Sequence, residues 1–476
     1  LGSQNVRIVE TTSRRTPYAA PDVVVVGAGA GGILAAWSAA QCGASVLLLE
    51  KTPRIGTKIL ISGGGKCNIA HAGALEDVLR AFTRAEAAFL RPACYRFPNH
   101  RIVEMVEDRA LKTAARSDGR VFPVEGNAKD VIEILTRYLA EAGVAVCLET
   151  PVTRVSVDAG CAFGVEVGQN RSAPNRVATR IGTARFGTGA LLREALQAES
   201  GFGNPWTGPS FIPCKRIVLA TGGTSYPATG TTGDGWGWLR QLGHKLTPIR
   251  PALAPIYLRN LPRDLSGADL SGVGLRDVVL HARQQARDFA KATGDLLLTH
   301  QGISGPACLR ISREVAERLG AGPVAMEVDL VPERNFEELT ADLVRLANAQ
   351  PRLRPLAFVE ASLPERLRET VLALAQVSAP SLAQLDRKSR NRLVSNLKRW
   401  PLGEVRTVPI DKGEVVAGGV NLDEVDPRTM ESRLISGLYI CGELLDIAGP
   451  VGGYNLQAAF ATGFVAGEHS ALASRR

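Results

Sequence analysis

The stretch from Asp22 to Glu50 constrains this chain more than any other. Val23, Val24, Val25 and Val26 run directly into Gly27-Ala28-Gly29-Ala30-Gly31-Gly32, a G-x-G-x-x-G. A continuous β-branched run suits a parallel strand covered by helices on both faces. The alanine-rich segment from Gly29 to Cys42 reads as a helix that Gly43 stops, and Ala44 to Glu50 reads as a second buried strand. The result is a β-α-β unit of about 30 residues. Gly27 permits the tight turn, Gly29 lets the backbone approach a pyrophosphate, and Gly32 lets the helix close on the sheet. The helix start offers free N–H groups and a positive dipole end. Glu50, eighteen positions beyond Gly32, suits a carboxylate that accepts hydrogen bonds from ribose hydroxyls. A lone glycine pattern also occurs as a structural turn. Strand, helix, strand and acid in one register point instead to a dinucleotide.

Two later segments read as strands of the same sheet. Arg216 to Ala220 enters Thr221-Gly222-Gly223, and Gly437 to Cys441 enters Gly442-Glu443. A helix start at Thr232-Gly233-Asp234 follows the first, and a helix from Asn455 to about Ala471 follows the second. Such transitions place ligand-facing loops at the carboxyl ends of strands. Pro248 to about Leu330 is strand-like, with turn signals at Ser271-Gly272 and Gly302-Ile303-Ser304-Gly305-Pro306. Asn335 to Trp400 becomes helical and leucine-rich, broken by Pro351, Pro355, Pro364 and Pro380. The expected division is a flexible lead-in over 1–20, a nucleotide domain in two parts over 21–247 and 405–476, a β-rich insertion over 248–334 and a helical subdomain over 335–404. Gln169 to Gly208, polar and glycine-rich, reads as an embellishment with a short helix at Gly189 to Ala198.

Composition narrows the class. A chain of 476 residues is expected to form two or three domains. No uncharged apolar run reaches about 18 residues, so no transmembrane helix is expected. The N-terminus lacks the apolar core of a secretory signal. Cys42, Cys67, Cys94, Cys147, Cys161, Cys214, Cys308 and Cys441 are scattered without a C-x-x-C pair. That argues against a zinc site, a redox dithiol or a disulfide framework, and for the cytoplasm. The formal net charge of +9 raises the odds of an anionic partner. Arg387, Lys388, Arg390, Arg392, Lys398 and Arg399 concentrate charge in the helical segment, where a solvated face is the expected role. The segment lacks the interleaved aromatics of a base-stacking surface, so a small molecule is the expected partner rather than nucleic acid.

Three further segments choose FAD over NAD. Ile61-Ser62-Gly63-Gly64-Gly65-Lys66-Cys67-Asn68 makes a loop that can lie against a flat ring. Thr221-Gly222-Gly223 ends a strand, and Gly442-Glu443 precedes Gly452-Gly453-Tyr454-Asn455-Leu456 at a helix start whose positive end suits a negatively charged reduced flavin. With Lys58-Ile59-Leu60, Thr299-His300-Gln301-Gly302 and Gly442-Glu443-Leu444-Leu445-Asp446, these segments resemble the bacterial NAD(P)/FAD-dependent oxidoreductase family that includes aminoacetone oxidase and a dehydro-bile-acid reductase. The likeness runs from about Pro21 to the end. It implies an α/β fold: a discontinuous FAD-binding Rossmann-like domain with an inserted β-barrel-like domain and a small helical subdomain. It implies FAD contacts at Gly27, Gly29, Ala30, Gly31, Gly32 and Glu50, at Ser62, Gly63, Gly64, Gly65, Lys66, Cys67 and Asn68, and at Thr221, Gly222, Gly442, Glu443, Tyr454, Asn455 and Leu456. Lys51, Lys58, Val152 and Gly453 complete the expected set. The chain departs from the family in a longer Gln169–Gly208 stretch and in Ala448-Gly449-Pro450-Val451, both on the expected substrate side.

Flavin chemistry asks little of the protein beyond a bound ring, an oriented substrate and one proton donor or acceptor. Lys66 is the candidate for stabilising an anionic flavin or an oxyanion, with surface pairing as its competing role. Tyr226 and Tyr454 are candidate proton donors, with packing as the alternative. His300 is a candidate acid or base, with a structural hydrogen bond as the alternative. Cys67 invites a nucleophile reading because Lys66 would lower its pKa, but no partner cysteine completes a dithiol. Glu443 reads as a flavin-side acceptor rather than a base. The leading expectation is hydride transfer that reduces or forms a C=C bond conjugated to a carbonyl. C–N oxidation and tRNA modification are the alternatives. No second G-x-G-x-x-G appears, so an NAD(P)H donor would dock directly over the flavin.

Overall fold

The computed structural model describes residues 20–168, 206, 208, 210–260, 270–360 and 362–475. The expected helix at Gly189 to Ala198, nearly all of the Gln169–Gly208 embellishment, and the lead-in up to residue 19 lie outside them.

A five-stranded sheet forms the centre, in the order Leu438–Ile440, Arg216–Leu219, Val23–Val26, Val46–Leu49, Ala145–Cys147. The pairings are parallel, with Val24 opposite both Ile217 and Leu47, and Ile217 opposite Leu438. Val23, Val24 and Val25 are fully buried, as a strand covered on both faces requires. Four of these strands are the ones expected from the sequence; the fifth, Ala145–Cys147 at the sheet edge, was not.

One face is covered by two helices, Ala30–Gln41 and Tyr454–Ser474, that cross very closely. A Cβ at Gly463 would stand 2.1 Å from the Gly31 carbonyl oxygen, and one at Gly467 would stand 2.0 Å from that of Ala35. Only residues without a side chain allow this approach. Ser38 Oγ fastens the crossing by donating to the Phe464 carbonyl at 2.7 Å.

The inserted stretch closes into a six-stranded barrel: Ile256–Leu258, Gly302–Ser304, Arg287–Thr299, Gly274–Gln284, Ala325–Asp329 and Trp400–Thr407. Two features differ from the sequence reading. Pro306–Arg318, inside the stretch read as strand-like, is a helix whose Ala307, Cys308, Ile311, Ser312 and Val315 face the barrel core. The helical segment ends at Lys398, and the strand beginning at Trp400 returns to complete the barrel between Ile256–Leu258 and Ala325–Asp329. Four helices of that segment, Phe336–Ala349, Leu356–Glu360, Glu365–Leu374 and Arg387–Lys398, share the barrel's apolar core.

Candidate active site

A cavity of about 420 Å³ opens where the central strands end. Gly27 to Gly31, Glu50, Ala220 to Gly222, and Gly442 with Glu443 line it, each stretch beginning within two residues of a strand's end. Gly27 takes φ +98°, and a Cβ there would stand 2.6 Å from the Ala220 carbonyl oxygen, so the turn admits only glycine. Glu50 accepts the Ala28 amide at Oε2 and the Thr52 amide at Oε1, both at 2.8 Å. Each carboxylate oxygen keeps acceptor capacity for a ligand.

The opposite wall is built around the Ser62–Asn68 loop. Gly63, Gly64 and Gly65 all have positive φ, and Cys67 follows at +59°. With its amide oriented to satisfy its neighbours, Asn68 accepts the Gly453 amide at 2.9 Å and donates to the Ala70 carbonyl at 3.1 Å. This holds the start of Tyr454–Ser474 against the loop. Lys58 ties the wall to the strand ends: its ammonium donates to Glu443 Oε2 at 2.6 Å and to Ser225 Oγ at 2.5 Å. Glu443 Oε1 also accepts the Val416 amide at 3.1 Å. An ion pair this sheltered holds two chain segments in register because either charge alone would be stranded.

Of the expected cofactor residues, seventeen line the cavity: Gly27, Gly29, Ala30, Gly31, Glu50, Lys58, Ser62, Gly63, Gly64, Asn68, Thr221, Gly222, Gly442, Glu443, Gly453, Asn455 and Leu456. Gly32 lies behind the wall, where a Cβ would stand 1.8 Å from the Gly27 carbonyl oxygen. Gly65, Val152 and Lys51 do not line it either, and Lys51 is held by Asp234 at 2.6 Å.

Among the candidate catalytic side chains, Tyr226 lines the cavity. It sits at φ +50°, ψ +61°, a strained conformation for a residue with a side chain and a pointer to function. Burial, then the nearby Glu414 carboxylate, raise its phenol pKa. The other three do not line the cavity. Lys66 is exposed, His300 is exposed on the barrel rim, and the Tyr454 ring stacks on His71 with centroids 4.5 Å apart. The proximity argument for Cys67 also fails: it is buried, and desolvation pushes its thiol up to about 11.

Sequence reasoning missed Arg116, Arg120 and Phe122, which line the cavity from the strand Arg120–Pro123 and the turn before it. An available signal was Asp118-Gly119, a hairpin dipeptide. It also missed Glu414, whose carboxyl opens on the cavity yet is ringed by protein. Desolvation raises its pKa against the opposing pull of Lys58 and Arg120. Leu253, Pro306 and Leu309 add an apolar wall from the barrel side. No local pattern marks these residues as neighbours of the glycine loops.

Three observations fit FAD in this cavity. A Cβ at Gly29 would meet nothing within 4 Å, leaving room at the helix start for a pyrophosphate. Thr221 Oγ1 is buried without a protein partner beside the cavity, so it has a hydrogen bond to offer. Glu50 retains free lone pairs at the end of its strand. Among the described residues no group of His, Cys, Asp and Glu could hold a metal ion, and no helix is long and apolar enough to cross a membrane.

The chain is similar over nearly its full length to proteins of known activity. It is 28% identical to a ribosomal RNA dihydrouridine synthase of Haemophilus influenzae, covering 93% of this chain and 96% of that one. The Escherichia coli protein of the same name is also 28% identical, with coverage of 93% and 96%. A 3-dehydro-bile acid delta(4,6)-reductase of Clostridium scindens is 29% identical, with coverage of 94% and 98%. The family model described as HI0933-like protein Rossmann domain matches residues 21–191 and 193–469. The chain belongs to the HI0933-like protein Rossmann domain family and is an FAD-dependent oxidoreductase.

Proposed function

We propose that this enzyme reduces, or in reverse forms, a C=C bond conjugated to a carbonyl. The observation that carries the reading is the make-up of the cavity. A dinucleotide cradle continues into a wall bearing the Tyr226 phenol, the Glu414 carboxyl and an apolar patch of Leu253, Pro306 and Leu309. When bound, FAD supplies hydride donation and acceptance at its ring. The amides at the start of Ala30–Gln41 hold the pyrophosphate, and Glu50 takes ribose hydroxyls. The Gly63–Asn68 loop and the start of Tyr454–Ser474 support the ring, and the Lys58–Glu443 pair keeps these walls in register. Leu253, Pro306 and Leu309 exclude water from the reacting carbons.

Saturating such a bond requires a proton at the carbon next to the carbonyl. Tyr226 holds that proton: its phenol lines the cavity and, like any tyrosine whose pKa burial moves upward, is neutral at ordinary pH. The relatives support this chemistry, because one reaction unites their names. A 3-dehydro steroid reduced at its 4,6 bonds and a uridine converted to dihydrouridine both lose a C=C conjugated to a carbonyl. The electron donor we assign is NAD(P)H, docking over the ring.

The test begins with FAD-loaded protein reduced anaerobically with dithionite. It is mixed separately with a 3-oxo-Δ4 steroid acid and with a uridine-containing ribosomal RNA fragment. Recovery of the flavin band together with a product two hydrogens heavier is expected with one of them. No recovery with either refutes the reading. Anaerobic NADH and NADPH test the donor, and an unbleached band with both removes the nicotinamide.

A further inference from the structure

We propose that the hairpin tip carrying Arg116 and Arg120 is an anion-binding subsite for the substrate, taking a carboxylate or phosphate borne by the conjugated carbonyl compound. The inference rests on the reaction proposed above and adds the substrate's charge.

The tip is rigid. Strands Thr113–Ala115 and Arg120–Pro123 pair, the Arg116 amide donates to the Arg120 carbonyl at 2.9 Å, and the Gly119 amide returns to the Arg116 carbonyl at 2.9 Å. Phe122, on the same strand, lines the cavity and abuts the ring-side loop: a Cβ at Gly63 would meet Phe122 Cε1 at 2.9 Å. The Arg116 guanidinium lies over the Phe122 ring, 4.1 Å from its centroid. Arg120 lies 5.9 Å from the same centroid and is anchored on Asp118 at 2.7 Å.

Arg116 is different. It is exposed, lines the cavity, and makes no ion pair among the described residues. A guanidinium held over an aromatic face by its cation–π contact retains N–H donors for a carboxylate or phosphate, which it can grip through two bonds. The cofactor's own phosphates do not fill this role. They belong at the Gly27–Gly31 turn, whereas Phe122, Gly63, Asn68 and Gly453 are mutual neighbours at the ring side. Glu414 is a carboxylate on that side, beside Lys58 and Arg120. Lys58 and Arg120 act on it electrostatically, whereas Arg116 makes no ion pair among the described residues and is the cation left to take an anion.

The experiment titrates FAD-loaded protein and reads perturbation of the flavin band as binding, without turnover. Two probe pairs separate the sources of the anion: a 3-oxo-Δ4 steroid carboxylic acid against its methyl ester, and uridine 5′-monophosphate against uridine. We expect wild type to bind the charged member of one pair about tenfold or more tighter than its neutral partner. Arg116→Gln should erase that preference while leaving FAD content and the neutral probe's Kd unchanged. Arg116→Lys, which keeps charge without the planar fork, should restore only part of it. Preference in the steroid pair identifies a carboxylate substrate, and preference in the uridine pair identifies a nucleotide phosphate. Equal binding of charged and neutral members, absence of binding by all four probes, or an undiminished preference in Arg116→Gln overturns the proposal. Charge-selective binding without reduction would leave the subsite standing and sink the proposed reaction. Reduction of ester and acid alike would do the reverse.

Discussion

Gly29 and Gly32 lie three residues apart, and alanine at each should fail in a different way. At Gly32 a Cβ would stand 1.8 Å from the Gly27 carbonyl oxygen, where ordinary contact begins at 3.4 Å. The helix start would have to retreat by about 1.6 Å, the difference of those distances. Overpacking of this kind costs about 1–3 kcal/mol. For a domain of this size that lowers Tm by roughly 2–12 °C. At Gly29 the added methyl meets no protein atom within 4 Å, and φ is −81°. The fold should not notice it, but the pyrophosphate should. Losing one charge-assisted bond to a backbone amide costs about 1.5–3 kcal/mol, or about tenfold to a hundredfold in Kd. Thermal melts of cofactor-stripped protein and fluorescence titration with FAD separate the two effects. Gly29→Ala should melt like wild type and bind FAD weakly, and Gly32→Ala should melt early. Wild-type FAD affinity in Gly29→Ala, or a wild-type melt in Gly32→Ala, would refute the division of roles.

Tyr226→Phe should keep FAD affinity and lower single-turnover reduction of the substrate about a hundredfold; unchanged turnover would move the proton donor elsewhere. Glu414 has its folded pKa raised above the ordinary 4.5, chiefly by burial. Its ionisation therefore costs stability increasingly as pH climbs from there through the folded value. Stripped Glu414→Gln should melt above wild type at neutral pH and level with it in acid, and coincident neutral melts would contradict the assignment. Cys67, with its thiol pushed to about 11, is essentially all protonated at neutral pH. Iodoacetamide followed by peptide mapping should mark exposed Cys161 on native protein and reach Cys67 only after unfolding.

Local patterns made half of this molecule legible. The valine run, the glycine turn and Glu50 lie within 30 residues, and each signals through its own backbone demand, so strands, helix and acid could be placed directly. The barrel resisted reading because its closure is non-local: Trp400–Thr407 pairs with Ile256–Leu258 and Ala325–Asp329 across a helical segment. Pro306–Arg318 carries the helical period, with apolar residues every three or four positions, but it follows directly on a glycine-rich turn typical of strands, and that context drew it into the strand-like reading. In the site, glycine loops were visible because backbone geometry leaves few alternatives. Arg116, Phe122 and Glu414 were not, because an arginine or glutamate in a loop carries no mark of the cavity it reaches. Tyr454 and His300 sit beside the right glycines with side chains that face elsewhere.

The close crossing of Tyr454–Ser474 over Ala30–Gln41 sets the order in which a growing chain can mature. Ser38 and Phe464, joined by a hydrogen bond, are 426 residues apart in the chain. At about 5–20 residues per second on the ribosome, the first helix waits roughly 20 to 90 s for its partner. During that interval the barrel and its helices can complete a core of their own. The early strand and helix leave the ribosome with their oily seam uncovered, at risk of sticking to other nascent chains. The dinucleotide cradle is therefore completed last, when Tyr454–Ser474 closes over Ala30–Gln41.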